Sequence, residues 1–208
     1  MNIRTLAVAA LALGFCGCAA TSLQPTWKSP TYKDGPVQKV AVLAVDDRET
    51  YRAAVESHYN VQLNDHGQAA FVIYDLLSLP AIKEDKQAAA AQLRERGADS
   101  LLLVRLAGAT SSSSEVRATS GYAATVSGYA GGDWYGYYTV AFMDMGTIWG
   151  NSKREVYLET SLFDLKSGQK IWSGTTRTVL KEEADRIEAL SKLVTQVLTV
   201  LRKDGLVH

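Results

Sequence analysis

Val37–Val45, VQKVAVLAV, decides the fold of this 208-residue chain. From Val40 to Val45 every residue is apolar, so the run has no side to offer water. A strand of that kind is buried on both faces, as in the middle of a parallel sheet. Asp46 and Asp47 end it. Downstream, Tyr51, Val55, Tyr59 and Leu63 recur every fourth residue between Glu49 and Asp65. That spacing predicts an amphipathic helix with one apolar stripe, closed by Gly67.

The alternation continues. Ala69–Tyr74 is a second short strand; after Pro80, the alanine-rich Glu84–Arg96 is a second helix with Leu93 inward, ended by Gly97; Ser100–Leu106, SLLLVRL, is the third strand. Strand, helix, strand, helix, strand implies right-handed crossovers and a parallel core. Beyond the insert described next, Glu155–Phe163, EVYLETSLF, alternates Val156, Leu158, Thr160 and Leu162 against Tyr157, Glu159, Ser161 and Phe163. With the Ser167-Gly168 turn and the return strand Lys170–Val179 it reads as an antiparallel hairpin joined to the sheet. Glu182–Lys203 is the strongest helix, with Ile187, Leu190, Val194, Val197 and Leu201 as its stripe, acids in its first turn, bases in its last and Gly205 as cap. The fold class is therefore mixed α/β (α+β): a β-α-β-α-β core sheet, a glycine/tyrosine-rich insertion, then a hairpin and a C-terminal helix packed on the sheet.

Gly108–Gly150 breaks this order. Serines 111–114 open it; Tyr122, Tyr129, Tyr135, Tyr137 and Tyr138 follow among glycines, with Trp134, Phe142, Met143, Met145 and Trp149. A loop of this length inside a compact domain either has structure of its own or serves a partner. Three readings stay open: an irregular or partly disordered excursion, a surface for a partner or for self-association, and a membrane-inserting hairpin. The candidate partner surface is Tyr129, Trp134, Tyr135, Tyr137, Tyr138 and Trp149.

Upstream, Met1–Cys18 is laid out as a secretory leader: Arg4, then an apolar run from Leu6 to Phe15, then small residues. A ten-residue apolar helix reaches only ~15 Å, about half a bilayer core. The end of this leader, LGFCGC, resembles a bacterial lipobox, in which a cysteine following a small residue is cleaved and lipidated. Gly17 precedes Cys18 whereas bulky Phe15 precedes Cys16, which makes Cys18 the expected lipidation site, 1–17 the signal peptide, 18–36 an extended tether carrying Pro25, Pro30 and Pro36, and 37–208 a single domain. Trp27 and Tyr32 are out of place in a free linker, so docking of one or both on the domain is expected, with headgroup contact as the alternative. By resemblance, Ala19 after the cysteine implies the outer membrane.

Other chemistries find little footing. The body after Cys18 has no cysteine, so thiolate nucleophiles, cysteine metal sites and disulfides are excluded from it. His58, His66 and His208 lie in no ligand spacing, and no nucleophile elbow or phosphate loop occurs. The chain carries 22 basic and 22 acidic residues, and the leader removes only Arg4, so nothing invites nucleic acid. The charged group Asp46, Asp47, Arg48, Glu49, Arg52 and Glu56, where strand meets helix, reads first as structure: Asp47 as helix cap and Arg52–Glu56 as an i, i+4 pair. Neither a cofactor nor a metal nor a small-molecule substrate is expected, and the chain does not read as an enzyme.

The lipobox, VAVLAV at 40–45, GADSLLLVRL at 97–106 and YLETSLFDLKSGQKIWSG at 157–174 together resemble bacterial outer-membrane lipoproteins with a periplasmic α/β domain like those of the TolB N-terminal region and the curli-secretion protein CsgG. The resemblance covers most of the body. It implies a non-catalytic, periplasm-facing binding or assembly component anchored to the outer membrane by lipid, with an envelope protein or another copy as partner. An oligomeric pore or export subunit is the alternative, although such pore subunits carry two membrane hairpins where only 108–150 is available here. An envelope hydrolase is the remote third.

Overall fold

The computed structural model describes residues 20–111, 153–179 and 186–208. In chain order the elements are β1 (Ala20–Leu23), β2 (Trp27–Lys28), β3 (Lys39–Val45), α1 (Glu49–Asp65), β4 (Ala69–Val72), α2 (Leu79–Glu84), α3 (Lys86–Glu95), β5 (Ser100–Ser111), β6 (Lys153–Asp164), β7 (Lys170–Val179) and α4 (Arg186–Lys203). The strands form one sheet in the order β1-β7-β6-β5-β3-β4, with β2 also pairing to β7. The mixed α/β class and the parallel core hold: β3 runs parallel to both β4 and β5, and β5, β6 and β7 continue antiparallel.

From Val40 to Val45 the strand is buried on both faces, as its composition requires, while Gln38 is exposed and Lys39 partly buried. Ala41, Leu43 and Val45 join Leu101, Leu103 and Phe163 under α2 and α3, which contribute Leu79, Ile82, Ala90 and Leu93. Val40 and Val42 join Leu102, Val104, Leu162 and Trp172 under α1 and α4, which contribute Tyr59, Leu63, Val194, Val197, Leu198 and Leu201. Gly67 and Gly97, both at positive φ, let the amides of Gln68 and Ala98 turn back to the carbonyls of Leu63 and Leu93, so α1 and α3 end where the sequence signalled.

Several expectations shift. The α1 stripe is rotated: Arg52, Glu56, Tyr59 and Leu63 face inward while Tyr51 is exposed. Asp47 does not cap α1; Arg48 stands at the cap, and Asp46 accepts the Arg48 amide at 2.9 Å. The expected helix at 84–96 is α3, started by the Asp85 carboxylate accepting from Ala88 N, and the short α2 that precedes it was not foreseen. Ile187, counted in the last helix's stripe, is 73% exposed. β5 continues past Leu106 to Ser111, a register shift between Leu106 and Gly108 absorbing one residue, so the first four residues of the 108–150 segment belong to the sheet.

The largest change is at the N-terminal side. The segment expected as an extended tether is extended but not free. Ala20–Leu23 pairs antiparallel with Val179–Thr176, and Trp27–Lys28 with Ser173–Trp172. Tyr32 packs on the core and the Lys170 ammonium lies over the Trp27 ring, so both aromatics dock, as expected for one or both of them. Both sheet edges are blunted. The Asn64 carboxamide bonds the amide and carbonyl of Ala70 on β4, and Gln196 donates to the Thr21 carbonyl on β1 at 2.9 Å.

Candidate functional site

Cys18 and the aromatic set Tyr129, Trp134, Tyr135, Tyr137, Tyr138 and Trp149 lie outside the described residues. Three features within those residues bear on function.

The first is a cavity of about 840 Å³ at the carboxyl ends of β3 and β4, the usual ligand position in an open α/β sheet. Asp46 and Asp47 enter it from β3, Glu49 and Arg52 from the first turns of α1, and Tyr74, Asp75 and Leu77 from the segment after β4. Two of its charged groups, Asp46 and Arg52, hold the walls. Asp46 pairs with Arg48 at 2.8 Å, whose guanidinium lies 3.7 Å from the Tyr51 ring centre. Behind the wall, fully buried Glu56 accepts four N–H groups: Ala44 N (3.1 Å) and Arg52 Nε (2.8 Å) on Oε1, Ile73 N and Tyr74 N (2.7 Å each) on Oε2. Arg52 in turn donates to the Leu77 carbonyl at 2.9 Å. One carboxylate thus ties the ends of β3 and β4 to α1. Burial pushes its carboxyl above the ordinary range, opposed by Arg52 and by the amides of Ala44 and Ile73. Among the described residues no three of His, Cys, Asp and Glu come together as metal ligands.

The second feature is a buried charge cluster on the sheet. Arg105 on β5 faces Glu159 directly across on β6 and pairs with it. Lys170 is buried beside them; burial pulls its ammonium below the usual lysine range, with Glu159 acting against that and Arg105 with it. Sequence reading passed over both Arg105–Glu159 and the inward turn of Arg52–Glu56. The signal was present: a charged residue inside an apolar strand, or in phase with Tyr59 and Leu63, needs a buried counter-ion.

The third is the sheet end where the chain enters. Ala20 lies opposite Val179, Val179 opposite Glu155, and Glu155 opposite Thr110. The last described residues of β5 and the first of β6, which flank 112–152, therefore share one row with the first residue of β1. Glu155 is held there by Arg177 and by the Tyr157 hydroxyl (2.9 Å), bonds that keep its carboxyl below the ordinary range.

No protein-family model and no curated protein matches the chain. Among solved structures, a PelC dodecamer from Paraburkholderia phytofirmans is similar in two crystal forms. One is 15% identical, covering 88% of this chain and 98% of that one with a TM-score of 0.46; the other is 14% identical, covering 85% and 96%, with a TM-score of 0.44. The lipoprotein GNA1162 from Neisseria meningitidis is 13% identical, covering 79% and 98%, with a TM-score of 0.36. At these scores the likenesses carry no functional argument.

Proposed function

We propose that the chain is a lipid-anchored component of the bacterial cell envelope, held at the periplasmic side of the outer membrane through Cys18, that binds other envelope proteins or assembles with copies of itself rather than catalysing a reaction. The observation that carries this reading is the pairing of β5 with β6 out to Ser111 and Lys153. Segment 112–152 leaves and re-enters the domain through two neighbouring strands of a sheet, a stiff base from which Tyr129, Trp134, Tyr135, Tyr137, Tyr138 and Trp149 are offered to a partner. Tyrosine and tryptophan supply contact area at low entropic cost. The bonds that commit Arg52, Glu56 and Asp46 to the walls of the cavity support a structural use of that charged group over a catalytic one.

The test is in-cell crosslinking followed by pull-down of the wild type and of a variant lacking 120–145. The proposal expects an envelope protein, or a second copy, to be captured by the wild type and lost from the deletion. Recovery of the same set from both would remove the segment from the interface.

A further inference from the structure

We infer that one end of the sheet, the row Ala20–Val179–Glu155–Thr110, is a bilayer-docking surface on which the lipid anchor clamps the domain in a fixed orientation. The inference rests on the reading that Cys18 carries lipid. It follows from where Ala20 is seated on β7.

Ala20 is two residues from Cys18, a reach of at most ~7 Å. A tether of 18 residues would let the domain wander up to ~60 Å from its anchor. The structure removes that freedom, because β1 is seated by more than its ladder. The Thr21 and Thr178 hydroxyls lie 3.2 Å apart, Gln196 of α4 holds the Thr21 carbonyl, Leu23 packs on the core, and Gln24 N donates to the Thr175 carbonyl at 2.8 Å. Past it, Ser29 N donates to the Ile171 carbonyl at 2.9 Å. Gly174 makes the seat possible. A Cβ there would stand 2.7 Å from Trp172, 3.0 Å from Thr26 and 3.2 Å from Leu23, so the Leu23 and Thr26 side chains of the strap occupy the space that a β7 side chain at this position would need.

The register then says which end meets the membrane. Three strand spacings of ~4.8 Å separate Ala20 from Thr110 along the row, about 14 Å in all, so the anchor and both roots of segment 112–152 share one face. β3 stops short of it. Val45 lies opposite Arg105, five residues before Thr110, so the carboxyl end of β3 and the cavity there stand back by about 17 Å. Four strands, β1, β7, β6 and β5, therefore reach toward the bilayer, and the cavity lies at strand ends pointing the same way. The far end, at the β6–β7 turn holding Lys166, is ~31 Å away along the nine residues from Val179 to Lys170.

Because the body after Cys18 lacks cysteine, single labels test this directly. The full lipoprotein carrying a fluorophore at Ser22→Cys, Val179→Cys or Lys166→Cys would be reconstituted in phosphatidylethanolamine/phosphatidylglycerol vesicles with nitroxide-labelled headgroups. Ser22 and Lys166 are both exposed, and Val179 serves as a second near-end position. Labels at Ser22 and Val179 should lose most of their fluorescence while the label at Lys166 keeps it. A long Gly/Ser linker inserted between Ala19 and Ala20 should erase the difference. Equal quenching at both ends in the unmodified chain, or none at either end of a protein that floats with the vesicles, would overturn the clamp. Failure of the wild type to float, or equal flotation of Cys18→Ala, would instead overturn the lipid reading beneath it.

Discussion

Glu56 shows at the scale of one residue why this helix sits where it does. Its two oxygens receive only donors, so no neutral side chain of the same shape can replace it. Glu56→Gln turns an NH2 toward two backbone amides and leaves Arg52 buried without its counter-ion; the expected loss is about 3–5 kcal/mol in urea unfolding, the usual cost of breaking a buried pair from one side. The sequence displayed the Arg52–Glu56 spacing plainly, but spacing alone fits an exposed pair worth a few tenths of a kcal/mol as well as a buried latch. What separated the two was phase: both residues align with Tyr59 and Leu63, while the apolar reading started one residue early at Tyr51. Glu155 makes a different prediction. Its hydrogen bonds from Arg177 and Tyr157 favour the ionised form, so its folded pKa is lowered. The stability it adds is present above the ordinary carboxylate pKa and is lost as pH falls through the lowered one. Acid titration of Glu155→Gln, followed by thermal melting, should show the variant melting below wild type near neutrality, declining less steeply over that window and converging with wild type at its acid end.

At the scale of elements, the long strands and helices and the short β4 were legible, while β1, β2 and α2 were not. VQKVAVLAV, SLLLVRL and EVYLETSLF carry enough apolar pattern to declare themselves. ATSL and WK do not: β1 and β2 are held by backbone pairing to β7, by Gln196 and by the gap at Gly174, none of which leaves a hydrophobic period in the sequence. Gly174→Val tests that gap. Overpacking here should cost about 1–3 kcal/mol and be felt at the strap, so amide exchange of β1 should speed up more than that of β3. In α4 the sequence found the helix and most of its stripe, but Ile187 is exposed while Leu198 is fully buried. Leu198→Ala should cost about 2–5 kcal/mol and Ile187→Ser should stay within about 0.5 kcal/mol of wild type in chemical denaturation. A loss of equal size at both positions would contradict the packing described.

For the whole molecule, strand–helix alternation foretold the parallel core, and the hairpin and C-terminal helix took their expected places on it. The relation between the chain's entry point and the roots of segment 112–152 was not foretold, because it depends on the register of four strands far apart in sequence. That relation sets Ala20 and the strand ends that flank 112–152 in one row of the sheet. Lipidation of Cys18 is the central claim. Intact-mass analysis of the mature protein from membranes, with peptide mapping of its first residue, tests it directly. The expected result is a chain that begins at Cys18 and carries the mass of diacylglycerol and an N-acyl group, absent from Cys18→Ala; a mature chain that begins elsewhere, or an unmodified Cys18, would contradict it.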